Sequence, residues 1–439
     1  MLIRCLLAQV YGFSYLPFNS SGSWDRFGES YNVAAILQPG TTSLNVDAYQ
    51  SYSRLYLSTT FFLVLWTGFA TMTAVLVHTA LYYGPSILRG LRGVQTEEAD
   101  IHAKMMLKYK EAPYWWYIVV TVGSFVLGVV CCEIYDTDLP VWALLLCLIV
   151  IPGVYFLPSG FIYALTGNMI GTNLVSEMVV GYALPGKAMA NMMFKLYSQV
   201  GISQGFLFAQ DLKLAHYMKL PPRLTFAVMF IGTVWSCIVQ VFVNLFMNTH
   251  VADICSPENE HQFTCPQAQV YYTSSIVWGV IGPRRMFSEG SFYSSMYWAL
   301  LVGALTPIPV FLASRRWPNS FLKGVNVPLI FTSTSLIPPA SGIVVSSWFL
   351  TGFIFQYVIR KRAFRWWSRY NFITSAAMDT GTILSSIAVF LFLVLPKDGS
   401  IQLSWWGNDV VGRTLDGNPS PRLMSPADGF APPPNHRAP

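Results

Sequence analysis

Long apolar runs, separated by short connectors that carry charge, proline or glycine, organise this chain from end to end. Stretches long enough to cross about 30 Å of hydrocarbon lie near 56–83, 113–133, 140–158, 161–184, 188–210, 224–247, 292–314 and 371–395. Two shorter pieces lie near 325–338 and 341–359. The pattern predicts an all-α polytopic integral membrane protein with about ten transmembrane helices, some of them broken or re-entrant. Residues 55–396 form this transmembrane region. Residues 1–54 are expected to be extracytoplasmic and to carry one glycosylation sequon, Asn19-Ser20-Ser21. Residues 397–410 form a short extracytoplasmic end, and 411–439, rich in Pro and Asn without periodicity, read as a disordered tail.

Charge orients the spans. Arg89, Arg92, Lys104, Lys108 and Lys110 place the first long loop in the cytoplasm, and Glu133, Asp136 and Asp138 mark the next turn as external. Alternation then brings Lys213, Lys219 and Arg223 inside and the Cys255 to Cys265 loop outside. Arg315, Arg316, Lys323, Arg360, Lys361, Arg362, Arg365 and Arg369 are inside by the same rule. For all of these to agree, residues 271–287 must enter and return on one side. Gly282 and Pro283 sit at the turn of that re-entrant segment, and Arg284 and Arg285 follow it. Irregular backbone at membrane depth is tolerated where protein or a wet cavity surrounds it. Pro307, Pro309, Pro338 and Pro339 interrupt later runs, as discontinuous transporter helices do and as simple kinks also do.

Composition agrees: hydrophobic residues make up 53% and charged residues 11% of 439, too few charges to cover a water-soluble surface of that size. The formal charge of +6 sits in short clusters between apolar runs, so it fits basic cytoplasmic loops and gives no case for nucleic acid. Met1 to Val10 is too short for a span and has no clear cleavage site, so it is not read as a signal peptide. Of the seven cysteines, Cys255 and Cys265 flank an external polar loop, where they form either a disulfide or two free thiols. Cys131 and Cys132 have no histidine near them and read as packing residues rather than metal ligands; no cofactor or metal is expected.

Ionisable groups inside spans are costly unless partnered or wet, so each is a functional candidate. Thr166, Asn173 and Glu177 are expected to share one helical face, and Asn191, Lys195, Gln199 and Ser203 form a second polar stripe on the next helix. The tight Leu184-Pro185-Gly186-Lys187 turn makes these helices antiparallel neighbours. Glu177 and Lys195 are then partners, or contacts for the two ends of a zwitterion. Against this stands a structural carboxylate at Glu177 and a snorkelling Lys195. Asp379, among small residues of the last span, is a second proton-binding candidate or a structural acceptor. His78 is the one histidine within a span and reads as a packing histidine. A membrane-embedded enzyme needs a nucleophile, metal cluster or histidine set at membrane depth, and a single intramembrane histidine with no carboxylate-histidine spacing argues against one.

Several segments carry a resemblance. His216-Tyr217-Met218-Lys219-Leu220-Pro221-Pro222-Arg223 resembles the HYMKIPPR signature of the oligopeptide transporter family, with Leu220 for Ile. Asn173 to Pro185 is similar to the family's NVITELIIGYxLP and puts Glu177 at its intramembrane glutamate. PYWWY at 113–117, WGVIGPRRMF at 278–287, RRWPNS at 315–320, IPPA at 337–340 and WWGN at 405–408 follow in the family's order. The likeness runs over about residues 14–409 and resembles the C-terminal half of a fungal-type small-peptide transporter. Where the family reads TNQQIGLN, this chain has Thr166 to Asn173, TGNMIGTN, so part of an amide set is missing; the family's NPGPFN motif is absent, and Pro39-Gly40 is not it.

The resemblance implies a secondary transporter taking up small peptides, glutathione being one candidate, by proton-coupled symport, with the plasma membrane as the family expectation. Its partners would be small peptides, protons and membrane lipid. Glu177 and Asp379 are the proton-coupling candidates, and Asn173, Lys195, Gln199, Ser203 and Trp278 the substrate-binding ones. Two other readings stay open: transport of metal chelates, and an inactive or subunit-type half-transporter from a truncated gene.

Overall fold

The computed structural model describes residues 10–40, 43–92, 101–135, 137–251, 254–255, 265–288, 291–336, 342–394, 404–414 and 422–431. Among them, seven helices are long and apolar enough to cross a membrane. Six of the helices that matter here come first: α1 (Thr59–Leu91), α2 (Tyr114–Ile134), α3 (Val141–Thr166), α4 (Asn173–Ala183), α5 (residues 188–218) and α6 (Pro222–His250). They are followed by α7 (residues 266–281), the short α8 (Pro283–Phe287), α9 (Ser294–Arg316), α10 (Gly342–Arg362) and α11 (Phe364–Leu393). A two-residue antiparallel ladder, Ser23–Trp24 against Tyr56–Leu57, ties the N-terminal segment to the start of α1.

The differences from the sequence reading have local causes. The span expected at 161–184 is two helices, because Gly167 adopts a left-handed conformation (φ 73°) and the chain stays irregular until α4 starts at Asn173. Thr166 and Asn168 reinforce the stop: the Asn168 amide donates to Thr166 Oγ1 and its side chain to Thr166 O, competing with helix continuation. Thr166 therefore closes α3 and shares no helical face with Asn173 and Glu177. The run expected at 188–210 extends to Met218 through a π turn at Leu196–Val200. The piece near 325–338 is a short helix, Val327–Thr332, and a further turn. Pro338 and Pro339 lie outside the described residues, whereas Pro307 opens a new helical segment within α9. Within 411–439, residues 422–431 contact the N-terminal segment. Leu423 N donates to Ser14 O, Phe430 N to Arg26 O, and the Phe430 ring stacks on Tyr15.

The core gathers around α1, α4, the first half of α5, α7 and α8. Phe69, Phe194, Trp278, Phe287 and Tyr293 are fully buried there. None of the most apolar stretch of α6, α10 or α11 is buried. Exposed Trp235, Phe242, Trp348 and Phe349 suit lipid rather than water.

α7 and α8 form a helical hairpin that the core encloses. Ile276 to Ile281 are all buried, and Gly282 breaks the helix between them and Pro283 at φ 83°, ψ 156°, a backbone region open essentially to glycine. The close approach of the hairpin depends on two further glycines. A Cβ on Gly181 would stand 2.6 Å from Pro283 Cδ, and one on Gly279 would stand 2.6 Å from Ala188 Cα.

Candidate functional site

Three helices bring one charged residue pair and its hydroxyl partner together in the core. The Pro185-Gly186 turn, with Gly186 at φ 83°, folds α5 back along α4, which sets Lys195 opposite Glu177. Lys195 Nζ lies 2.5 Å from Glu177 Oε1, with Glu177 1% and Lys195 4% exposed. Ser274 of α7 donates to the same Glu177 Oε1 at 2.6 Å, and Lys195 Nζ is 3.4 Å from Ser274 Oγ. Nζ also sits 4.3 Å from the centroid of the Tyr271 ring, one turn earlier on α7. Such a pair is stable in a dry interior only because each charge has its partner and further polar contacts.

The surroundings join the three helices. Asn191 Nδ2 donates to Glu177 O at 3.2 Å and to Trp278 O at 3.1 Å, which links α5 to both α4 and the hairpin. Ser176 and Ser198 hydroxyls meet at 2.6 Å behind the pair. Gln199 Oε1 accepts from the Thr172 amide at 2.7 Å and from Thr172 Oγ1 at 2.6 Å, capping the buried start of α4 from another helix. Its Nε2 is 3.3 Å from Ser203 Oγ. The buried side-chain oxygens Asn173 Oδ1, Asn191 Oδ1 and Thr273 Oγ1 have no hydrogen-bond partner among the described residues. Beside the break at Gly167 to Thr172, Asn173, Gln199 and Ser203 are half-buried polar side chains one or two turns from the ion pair along α4 and α5.

Because Thr172 is only 1% exposed, Gln199→Ala leaves two buried donors unpaired. The variant is expected to lose about 1–3 kcal/mol, read as a lower thermal unfolding midpoint in detergent. Gln199→Glu keeps an acceptor in place and should lose less.

The structure brings Glu177, Lys195, Asn173, Gln199 and Ser203 into one neighbourhood. The Trp278 indole is instead a core group: it is 1% exposed, packed against Phe287 at 5.0 Å and Phe69 at 6.0 Å between ring centroids. Asp379 is exposed on α11 and has no ion pair or hydrogen bond among the described residues. His78 is buried and stacks on Tyr82. Residues 216–223 span the end of α5 and the start of α6, roughly 30 Å or more from Lys195 along the α5 axis, so they do not line the pair. Cys255 and Cys265 are joined in a disulfide. Arg284 and Arg285 are exposed beyond the Gly282-Pro283 turn, and Arg285 donates to Ile281 O. The residues that sequence reasoning missed are Ser274 and Tyr271; their signal was the polar run Thr273-Ser274-Ser275 just ahead of the glycine turn.

Seven helices long and apolar enough to cross a membrane, with a charged pair buried among the core helices, define a polytopic integral membrane protein. The family described as OPT oligopeptide transporter protein matches residues 6–393, and the chain belongs to the oligopeptide transporter family. Glutathione transporter 1 of Schizosaccharomyces pombe is 40% identical over 418 residues, covering 95% of this chain and 48% of that protein. Oligopeptide transporter 5 of Arabidopsis thaliana is 37% identical over 414 residues, covering 92% and 54%. Oligopeptide transporter 1 of Saccharomyces cerevisiae is 35% identical over 404 residues, covering 92% and 50%. The chain therefore spans about half the length of the curated relatives it matches. No solved structure matches it.

Proposed function

We propose that this chain serves proton-coupled uptake of small oligopeptides, glutathione among them, across the plasma membrane. The observation that carries the reading is the Glu177–Lys195 pair, buried in a member of this family and bonded to the hairpin through Ser274. The names of its relatives supply the substrate class. With Glu177 ionised, Lys195 is neutralised by it and Ser274 is held. A proton on Glu177 removes that charge and frees the Lys195 ammonium for the carboxylate of an entering peptide. The unpartnered oxygens of Asn173 and Asn191 are then acceptors for peptide N–H groups.

The test is uptake of a labelled tetrapeptide and of labelled glutathione into cells expressing the chain, with the outside made more acidic than the inside. Uptake is expected to rise with the gradient, and Glu177→Gln is expected to reduce it to the level without a gradient while the protein stays at the cell surface. Unchanged proton-driven uptake in Glu177→Gln would remove this carboxylate from the mechanism. No uptake of either substrate by the unmodified chain would remove the transport reading for it.

A further inference from the structure

The basic signature at 216–223 plays no part in the site above, yet it is fixed to a second basic segment more than 100 residues earlier in sequence. Lys219 occupies a left-handed turn (φ 62°) that ends α5, and its Nζ contacts Nδ1 of His102 in the short helix Ile101–Met106. Tyr217 meets the His102 ring edge-on at 5.1 Å. Arg223 Nε donates to Glu111 O at 3.1 Å. One turn into the spans, Phe226 of α6 packs on Trp116 at 5.3 Å and on Tyr117 at 4.8 Å. Two spans, α2 and α6, therefore start side by side, and the residues just before them form one face at the membrane boundary.

That face has two kinds of exposed group. Lys104, Lys108, Lys110, Lys213 and Arg223 are all exposed, and none has a carboxylate partner among the described residues. Among the described residues of the two segments, Glu111 and Asp211 are the exposed carboxylates beside these five cations, so the described face is net cationic. Between the cations stand exposed apolar side chains, among them Leu107, Tyr114, Trp115, Leu214 and Met218. Aromatic and aliphatic groups beside unpaired cations at the end of a span match the chemistry of a lipid headgroup over its acyl chains. The cytoplasmic leaflet, where basic loops reside, is also the anionic one.

We propose that the face made by residues 101–115 and 213–224 binds an anionic phospholipid through its phosphate-bearing headgroup. Lys219, His102 and Tyr217 hold the two segments together, and the five exposed cations supply the attraction.

The experiment uses the full chain, purified in detergent and placed in nanodiscs of phosphatidylcholine with a minority of phosphatidylserine. The lipid retained after washing in zwitterionic detergent is quantified by mass spectrometry. Two patch variants are compared, Lys104→Gln/Lys108→Gln/Lys110→Gln and the milder Lys213→Gln, which breaks no hydrogen bond among the described residues. The control neutralises Arg360, Lys361 and Arg362, an equally cationic helix end where Arg360 lies over Trp367 and Lys361 over Tyr357 of neighbouring turns. Unmodified protein is expected to retain phosphatidylserine preferentially, with a roughly tenfold or greater loss in the triple patch variant, a smaller loss in Lys213→Gln, and none in the control. Equal retention in the patch variants and the control overturns the proposal. So does displacement of the lipid by inorganic phosphate beyond that by chloride at matched ionic strength, which would make this a free-phosphate site.

Discussion

Lys195→Met is expected to be among the most destabilising single substitutions in this protein, at about 3–5 kcal/mol, because it leaves the Glu177 carboxylate buried with Ser274 as its remaining donor. Methionine keeps the apolar length of the lysine side chain, so packing contributes little to the loss. The carboxylate must then either stay charged in a dry site or take up a proton, and either costs stability at neutral pH. The double variant Glu177→Gln/Lys195→Met removes both charges and should recover most of the loss, because a buried pair exchanged for neutral groups of similar shape is often close to neutral overall. Lys187→Met tests the logic from the other side. That lysine pairs with Asp138 at 3.0 Å, but both side chains are more than 40% exposed, and its loss should cost no more than about 1 kcal/mol. Thermal unfolding midpoints in one detergent, measured for all four proteins, decide the matter. If Lys195→Met unfolds like Lys187→Met, water reaches the Glu177–Lys195 pair and the argument from burial fails.

The helical-hairpin relation between Glu177 and Lys195 was legible because a Pro-Gly turn between two polar-striped apolar runs allows only an antiparallel neighbour. The break ahead of Asn173 was less so. Period counting across 161–184 found an unbroken apolar run, and a single glycine whose φ turned positive overrode it. That one residue separates Thr166 from the stripe. Ser274 was out of reach for another reason: it enters the site from 97 positions beyond Glu177, and which face of α7 meets α4 depends on close packing rather than on hydropathy. The same packing explains Trp278. A tryptophan at membrane depth beside a glycine turn suggests a ligand contact, yet its area is worth more in the core, against Phe69 and Phe287. Asp379 remains as the sequence left it, a carboxylate on an exposed helix.

Gly279→Ala is expected to open the site from a distance. The new methyl group would stand 2.6 Å from Ala188 Cα and 3.3 Å from Ala188 O, and a backbone cannot yield as a side-chain tip does. The hairpin must therefore move off α5, at a cost of about 1–3 kcal/mol for overpacking. The first bonds in the path of that movement are Asn191 to Trp278 O and Ser274 to Glu177, both made from the hairpin or to it. The expected result is a change in exposure at a residue five positions away. With exposed Cys131 and Cys237 replaced by serine, a thiol at Ser274→Cys should be alkylated slowly, since Ser274 is 7% exposed. Adding Gly279→Ala should speed that alkylation by roughly tenfold or more, the hairpin opening more often. Gly201→Ala provides the contrast, because a Cβ there meets nothing within 4 Å and alanine favours the helix. Equal alkylation rates in the Gly279→Ala and Gly201→Ala backgrounds would mean that α7 does not depend on its contact with Ala188. The Ser274 to Glu177 bond would then hold independently of that contact.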